Sequence, residues 1–293
     1  MTGEQPPWRL AVQDFTRSST GMVGAVILAV LVAFAIIGHM IAPQNPYDLK
    51  ALDIMDAQLP PGSASVDGMR FWLGTDTLGR DLFSAILYGL RTSLFVGVSS
   101  TMAALAIGTS AGLIAGSVGG WVEAVIMRVV DLQLSLPAIL VALVLISLTG
   151  PGTGNVIAAL ILVQWATYAR TVRSVVLVER RKDYITAATS QGLPRFRILF
   201  GHLLPNCVAP LIVLATVAIA GAITLEATLS FLGIGLPVTQ PSLGLLIANG
   251  FAYLMSGAYW ISIFPGTVLF ATVMAINLVG DTMRDVLNPK RQR

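Results

Sequence analysis

DYITAATSQGLPRFRILFGHLLPN, residues 183–206, is the most conspicuous polar interruption in the second half of an otherwise very apolar chain. Arg180, Arg181 and Lys182 precede it, and Arg195, Arg197 and His202 lie within it. From Tyr184 the residues suit a short helix that presents the small side chains of Ala187 and Ala188. Gly192 followed by Pro194 then breaks that helix. A knuckle of this kind, set between two long apolar runs, offers a partner something to grip.

Working outward, the whole chain is 55% hydrophobic and only 11% charged over its 293 residues, with a mean hydropathy of +0.78. A soluble domain carries charge on about a quarter of its residues, so the chain is an integral membrane protein. One cysteine, Cys207, excludes an intramolecular disulfide and any cysteine-based metal cluster. The first apolar run begins near Gly21, is too long for a cleaved leader and lacks a small-residue cleavage site, so it reads as a span.

The expected fold is all-α, with six membrane spans. A segment at 1–20 precedes a first span at 21–42 and a hydrophilic stretch at 43–91, which ends in an amphipathic interfacial helix from Asp81. Further spans follow at about 92–117, 121–148, 156–178, 207–236 and 259–279, and residues 290–293 form a short tail. Pro6 and Pro7 argue against early regular structure. Gly108, Gly112 and Gly116 supply a small-xxx-small ridge for close helix packing.

Charge placement orients these spans. Alternate loops holding both termini, the 117–121 turn and the knuckle, counted with the adjoining helix ends, carry all but Lys50, Arg70, Arg80 and Arg91 of the 18 Lys and Arg residues. The positive-inside rule puts both termini and the knuckle in the cytoplasm and 43–91 outside. The net charge of +3 and basic pI therefore report topology, and no nucleic-acid partner is implied.

The knuckle's pattern, AA-x3-G-x9-H-x-LPN, resembles the EAA loop of permease subunits of bacterial ABC importers. Three further stretches are similar to the dipeptide/oligopeptide/nickel branch: LGTDTLGRD at 73–81, LEATLSFLGIGLP at 225–237 and FPGTVLFATVMAINLVGDTMRDVLNP at 264–289. Motif order and external-loop length resemble the C-type permease. The resemblance implies a type I importer permease fold, 92–289 being the permease domain. It also implies a heterodimer with a B-type permease, two ATP-binding subunits and a periplasmic or lipoprotein substrate-binding protein, all in the inner membrane. ATP and magnesium would belong to the ATPase subunits, because this chain has no GxxxxGK[ST] loop, and it would not be an enzyme by itself.

By the same resemblance, residues 184–192 form the coupling helix, with Tyr184, Ala187, Ala188, Gly192, Arg195 and Arg197 at the ATPase contact. The family's glutamate position is Thr186 here, so docking relies on shape and on the two arginines. Glu226, deep in the fifth span, is costly in lipid and faces partner helices or water; structural pairing and substrate choice are both open. Arg128 and Asp131 with Glu123, and Asp281 with Arg284 and Asp285, have the spacing of helix-end ion pairs. Asp76, Arg80 and Asp81 suit either an outer surface that meets the binding protein or a turn held by its own ion pairs. Di- or oligopeptides are the default solute, with nickel or metal chelates, glutathione and opine-like solutes as alternatives. An ion-coupled secondary transporter is a distant alternative, since only Glu226 lies clearly within a span.

Overall fold

The structure, a computed structural model, describes residues 7–48, 52–65 and 68–287. The 290–293 tail, Lys50 and part of the 1–20 segment lie outside them. Among the described residues the chain forms eleven α-helices and no strand; pairing is limited to isolated bridges such as Thr75 with Asp81.

Helix α1 (Pro7–Arg17) begins inside the segment read as irregular. Pro7 is its first residue, where the missing N–H costs nothing. Ser18 caps α2 (Ser19–Ile41) by accepting from the Gly21 amide at 3.2 Å. The glycines of α2 allow close approach: a Cβ on Gly24 would lie 2.7 Å from Leu278 Cβ, and one on Gly38 would lie 3.0 Å from Leu87 Cβ.

Helix α3 (Leu82–Val118) runs 37 residues without a break, roughly 55 Å at 1.5 Å per residue. The interfacial helix expected before residue 92 is thus the first part of the same helix as the expected second span. Its apolar face is not laid on lipid headgroups. Leu82, Ala85, Ile86 and Leu90 are buried with Leu243, Leu246 and Ile261, and neither Gly nor Pro interrupts residues 90–96.

The stretch expected as the third span is a bent pair of helices. Helix α4 (Gly120–Ser135) and α5 (Ala138–Thr149) meet at 92°, where the single span expected at 121–148 passes Pro137. The proline ring holds Leu136 extended (φ −92, ψ 138) and cannot continue the helical ladder. Helix α6 (Thr153–Glu179) then packs along the Gly108–Gly112–Gly116 ridge of α3, the most extensive helix pair in the molecule. A Cβ on Gly112 would lie 2.7 Å from Val172 Cβ, so the ridge works as the sequence predicts.

After the knuckle, a π turn at Leu199–Leu203 leads into α9 (Leu204–Phe231). That helix stops five residues short of the expected Leu236, because Gly233 takes a left-handed turn (φ +75). The segment after it, which carries no strong sequence signal, forms α10 (Leu243–Phe251), capped by Ser242. Helix α11 (Trp260–Val286) closes the bundle against α2, α9 and α10. Among the described residues four stretches are long and apolar enough to cross a membrane, or five when the bent pair counts as one. Helix α6 has the length but carries Arg170, Arg173 and Gln164.

Candidate functional site

The knuckle is two short helices joined by a glycine. Helix α7 (Asp183–Ser190) ends with Gly192 at φ +74; the Leu193 amide donates to Ala188 O at 3.2 Å and the Gly192 amide to Thr189 O at 3.0 Å. That pair of bonds is a Schellman cap, which uses the left-handed residue that glycine adopts without strain. Pro194 is the extended cap of α8 (Arg195–Ile198), one position earlier than its expected place inside the first turn. The Arg197 and Ile198 amides donate to its carbonyl.

Sidedness sorts the predicted contact residues. Ile185 and Ala188 face inward, packed with Val176, Leu203 and Cys207, whereas Ala187, Tyr184, Arg195 and Arg197 are exposed. The expectation that both alanines meet a partner is therefore corrected, since Ala188 holds the knuckle to its own bundle. Between the arginines Phe196 is 72% exposed and stacks on Phe200 with ring centroids 4.4 Å apart. Thr186 is exposed, and its hydroxyl approaches Lys182 O at 3.4 Å.

Sequence reading missed the tether beneath this surface. Glu179 accepts from Lys182 Nζ and from the Tyr184 hydroxyl, each at 2.6 Å, and Tyr184 accepts from Asn206 Nδ2 at 3.2 Å. Arg180 donates to Gly116 O at 2.9 Å, tying the same corner to α3. The bond from Lys182, then that from Tyr184, holds the Glu179 carboxyl below its ordinary range against the opposing effect of burial. The Tyr184 phenol is pushed up to about 12, chiefly because it donates to Glu179. A glutamate just before three basic residues is the signal that points to this tether.

At the other end of α3 the 73–81 turn closes on itself. Arg80 Nε donates to Asp76 Oδ2 at 2.7 Å with both side chains fully buried, and Asp76 Oδ1 accepts from the Leu78 and Arg80 amides. Arg80 also reaches Val238 O at 3.4 Å, while Trp260 Nε1 donates to Thr75 O at 3.3 Å. Asp81 caps α3, accepting from the Ser84 amide and hydroxyl at 2.8 and 2.6 Å; burial pushes its carboxyl up despite these bonds. None of Asp76, Arg80 and Asp81 is on the surface. Of the two open readings, the turn held by its own ion pair is correct and the exposed contact surface is not.

Glu226 is fully buried and accepts from Ser93 of α3 at 2.9 Å and Ser230 at 2.8 Å. Ser93 in turn receives the Leu243 amide of α10 at 3.4 Å. The carboxylate is therefore a knot of three helices, with no ion-pair partner among the described residues. Asp131 pairs with Arg170 at 2.5 Å, and Glu123 pairs with Arg173. Arg128 is exposed and joins neither pair. Asp281 and Arg284 form no ion pair among the described residues; Asp281 and Asp285 line a cavity of about 410 Å³ with Asp14 and Ser18.

Helices of membrane-crossing length and a bundle built on glycine contacts define a multi-pass membrane protein, with a helix–glycine–helix knuckle at one end. The chain belongs to the family described as binding-protein-dependent transport system inner membrane component, which matches residues 108–293; residues 6–61 match the N-terminal TM domain of oligopeptide transport permease C. The ABC importer permease class implied by the four motifs is thereby borne out, and the second match covers sequence ahead of them.

The chain is 42% identical over 277 residues to the dipeptide transport system permease protein DppC of Escherichia coli (strain K12), covering 94% of this chain and 91% of the relative. It is 36% identical over 276 residues to DppC of Haemophilus influenzae, covering 94% and 92%. It is also 36% identical over 284 residues to the glutathione transport system permease protein GsiD of Pectobacterium atrosepticum, covering 97% and 91%. A solved structure of the MetNI methionine ABC transporter, in an inward-facing conformation, shares the fold with a TM-score of 0.57. It covers 70% of this chain and 96% of that one at 20% identity.

Proposed function

We propose that this chain is the C-type permease subunit of a dipeptide-importing ABC transporter, lining half of the path and taking its drive from ATPase subunits through the knuckle. The observation that carries the reading is the knuckle's outward face, Ala187 and the Arg195–Phe196–Arg197 run, over an inward side locked to the bundle. The dipeptide part rests on the 42% identical relative, and a peptide-like solute such as glutathione is the second reading, favoured by the 36% identical one.

The partners in this proposal are a B-type permease, two ATP-binding subunits holding ATP and magnesium, and a substrate-binding protein on the far side of the inner membrane. The chain itself catalyses no reaction. Six crossings leave both termini and the knuckle cytoplasmic. In this reading α6 is the crossing that pure hydropathy passes over, its arginines partnered by Asp131 and Glu123 of α4. Rigid-body rocking suits a bundle whose glycine contacts lock α3 to α6. The test is ATP- and binding-protein-dependent uptake of a labelled dipeptide by the assembled complex in proteoliposomes. Uptake that needs no ATP, or an assembled complex that ignores dipeptides and takes glutathione, would overturn the corresponding part.

A further inference from the structure

The outward face of α5 suits lipid: Leu140, Val144 and Leu148 stand four apart and are all exposed. Helix α6 presents a different face. Thr167, Arg170 and Ser174 point outward at three- and four-residue spacing, with Thr171 half-buried beside them. Across from it, α4 exposes Arg128, Asp131 and Ser135 at the same spacing. Arg170 Nη2 joins the two helices by reaching Asp131 Oδ1 at 2.5 Å, yet the two side chains stay 52% and 61% exposed.

The hydroxyls alone decide nothing. Thr171 and Ser174 return their protons to the Thr167 and Thr171 carbonyls at 2.9 and 2.8 Å, so lipid tolerates them. The charges are decisive. Arg128 lies eight residues into α4 and Arg170 nine before the end of α6, roughly 12–14 Å along each axis. Hydrocarbon solvates neither an open ion pair nor a guanidinium outside any pair, so these groups face water or another chain. A seam between helices in lipid is built on small residues that let backbones close up, and long charged side chains stand where that contact needs room. The polar face also runs on into a hollow of about 300 Å³ between the α4–α5 bend, α6 and α9, whose lining includes Thr167 and Gln133. Water is the neighbour that this combination fits.

From this geometry we infer that the outward α4–α6 face is a wall of the solute path in its cytoplasmic half, where Asp131 and Arg170 offer counter-charges to the ammonium and carboxylate ends of a free dipeptide. The inference rests on the proposed import of dipeptides by a chain whose knuckle is cytoplasmic, and adds the residues that touch the solute. In the exchange the ammonium takes the place of Arg170 beside Asp131, and the carboxylate takes the place of Asp131 beside Arg170. Each contact made replaces one broken. That near balance suits a passage, which binds well enough to admit its solute and weakly enough to release it.

The test uses the complete transporter in proteoliposomes. Cys207 is buried and leaves a silent background. Thr167→Cys and Ser174→Cys are compared with Leu140→Cys and Val144→Cys for reaction with a charged, membrane-impermeant thiosulfonate added on the ATPase side. The thiolate is the reactive form and needs water, so the two α6 positions are expected to react about tenfold faster than the two on α5. Dipeptide present during turnover is expected to slow the reaction at Thr167→Cys. In complexes that co-purify with all partners, Asp131→Asn with Arg170→Gln is expected to lower the dipeptide carried per ATP hydrolysed about fivefold. The thermal midpoint is expected to hold, because an exposed pair adds little stability.

Cysteines on α6 as inert as those on α5 overturn the inference, as does their cross-linking to the second permease, which makes the face a packed seam. A charge-free double variant with an unchanged ratio of dipeptide to ATP overturns the role of the pair. If variants fail to assemble, hydroxyl-radical footprinting of the unmodified complex reads the same face, and no mark at 131–135 or 167–174 overturns the wall. A wild-type complex that takes up no dipeptide overturns the import reading itself, whereas normal uptake with inert α6 cysteines overturns this face alone.

Discussion

The 73–81 turn at the start of α3 and the knuckle, which Arg180 ties to the far end of α3, are both Gly-marked charged interruptions, and the bundle treats them in opposite ways. In the 73–81 turn Asp76 and Arg80 bury each other and Asp81 turns inward as a cap. In the knuckle Arg195, Arg197 and Ala187 stay exposed, and inward packing falls to Ile185, Ala188 and Ile198. The difference follows from whether the charges can satisfy one another locally. Asp76 and Arg80 are four apart around Gly79 (φ +76), so one tight turn brings carboxylate, guanidinium and backbone amides together. Arg195 and Arg197 have no carboxylate within their own turn and need water or a partner. A polar motif in this chain is thus framework when it closes on itself, and keeps its charges at the surface when it cannot.

The sharpest way to break the contrast is to disable the closed motif. Arg80→Ala leaves the Asp76 carboxylate buried with its amide donors but no cation, a change that costs about 3–5 kcal/mol. Loss of the folded protein, or a large drop in thermal midpoint in detergent, is expected. A surface role for Arg80 predicts an unaltered midpoint with weakened response to the binding protein. Next in size is the pair of neighbouring alanines. Ala188→Arg forces a charged chain into the cluster of Ile185, Leu203 and Cys207 and destabilises by about 2–4 kcal/mol. Ala187→Arg leaves the midpoint within about 0.5 kcal/mol and instead lowers co-purification with the ATPase subunits at least several-fold. Equal effects at both positions would erase the sidedness on which the docking proposal stands.

The sequence made the class, most helices and the Gly108–Gly116 contact legible, because apolar length and small-residue spacing are local signals. Sidedness was not legible. Ala187 and Ala188 are identical as residues, and which of them is buried depends on the rotation of α7, fixed by Ile185 and by the distant Leu203 and Cys207. The 92° bend was missed for a similar reason: Pro137 permits a kink inside a span, and only the neighbouring helices set its size. Glu226 was legible as costly, but its serine partners at positions 93 and 230 were not.

A smaller change tests the joint of the knuckle. At Gly192 a Cβ would meet nothing within 4 Å, so Gly192→Ala is penalised only by the left-handed backbone, about 1–2 kcal/mol. Because the rest of α7 is held by Ile185 and Ala188, the expected result is faster amide exchange at Gln191–Leu193 with the global midpoint barely moved. Collapse of the whole bundle would mean that the knuckle is framework like the turn.

The smallest expected effect lies in the tether, the one place where the open motif behaves like the closed one. The Glu179 carboxyl titrates below its ordinary value of 4.5 because Lys182 and Tyr184 donate to the charged form. Its contribution is therefore full above that ordinary value and is lost only as pH falls through the lowered one. Amide protection across Tyr184–Thr189, corrected for intrinsic exchange, should stay level from roughly pH 8 to pH 5 and weaken only in stronger acid. Tyr184→Phe removes one of the two bonds, costs about 1 kcal/mol and moves the acid transition upward, toward the ordinary carboxylate value. The reciprocal reading comes from the phenol: Tyr184 titrates at about 12 while it donates to Glu179, and Glu179→Gln removes the charge that holds its proton. In ring-labelled tyrosine NMR the Tyr184 signal should then titrate nearer the ordinary 10.0. An unmoved Tyr184 titration would separate the two residues and leave α7 held by Ile185 and Ala188 alone.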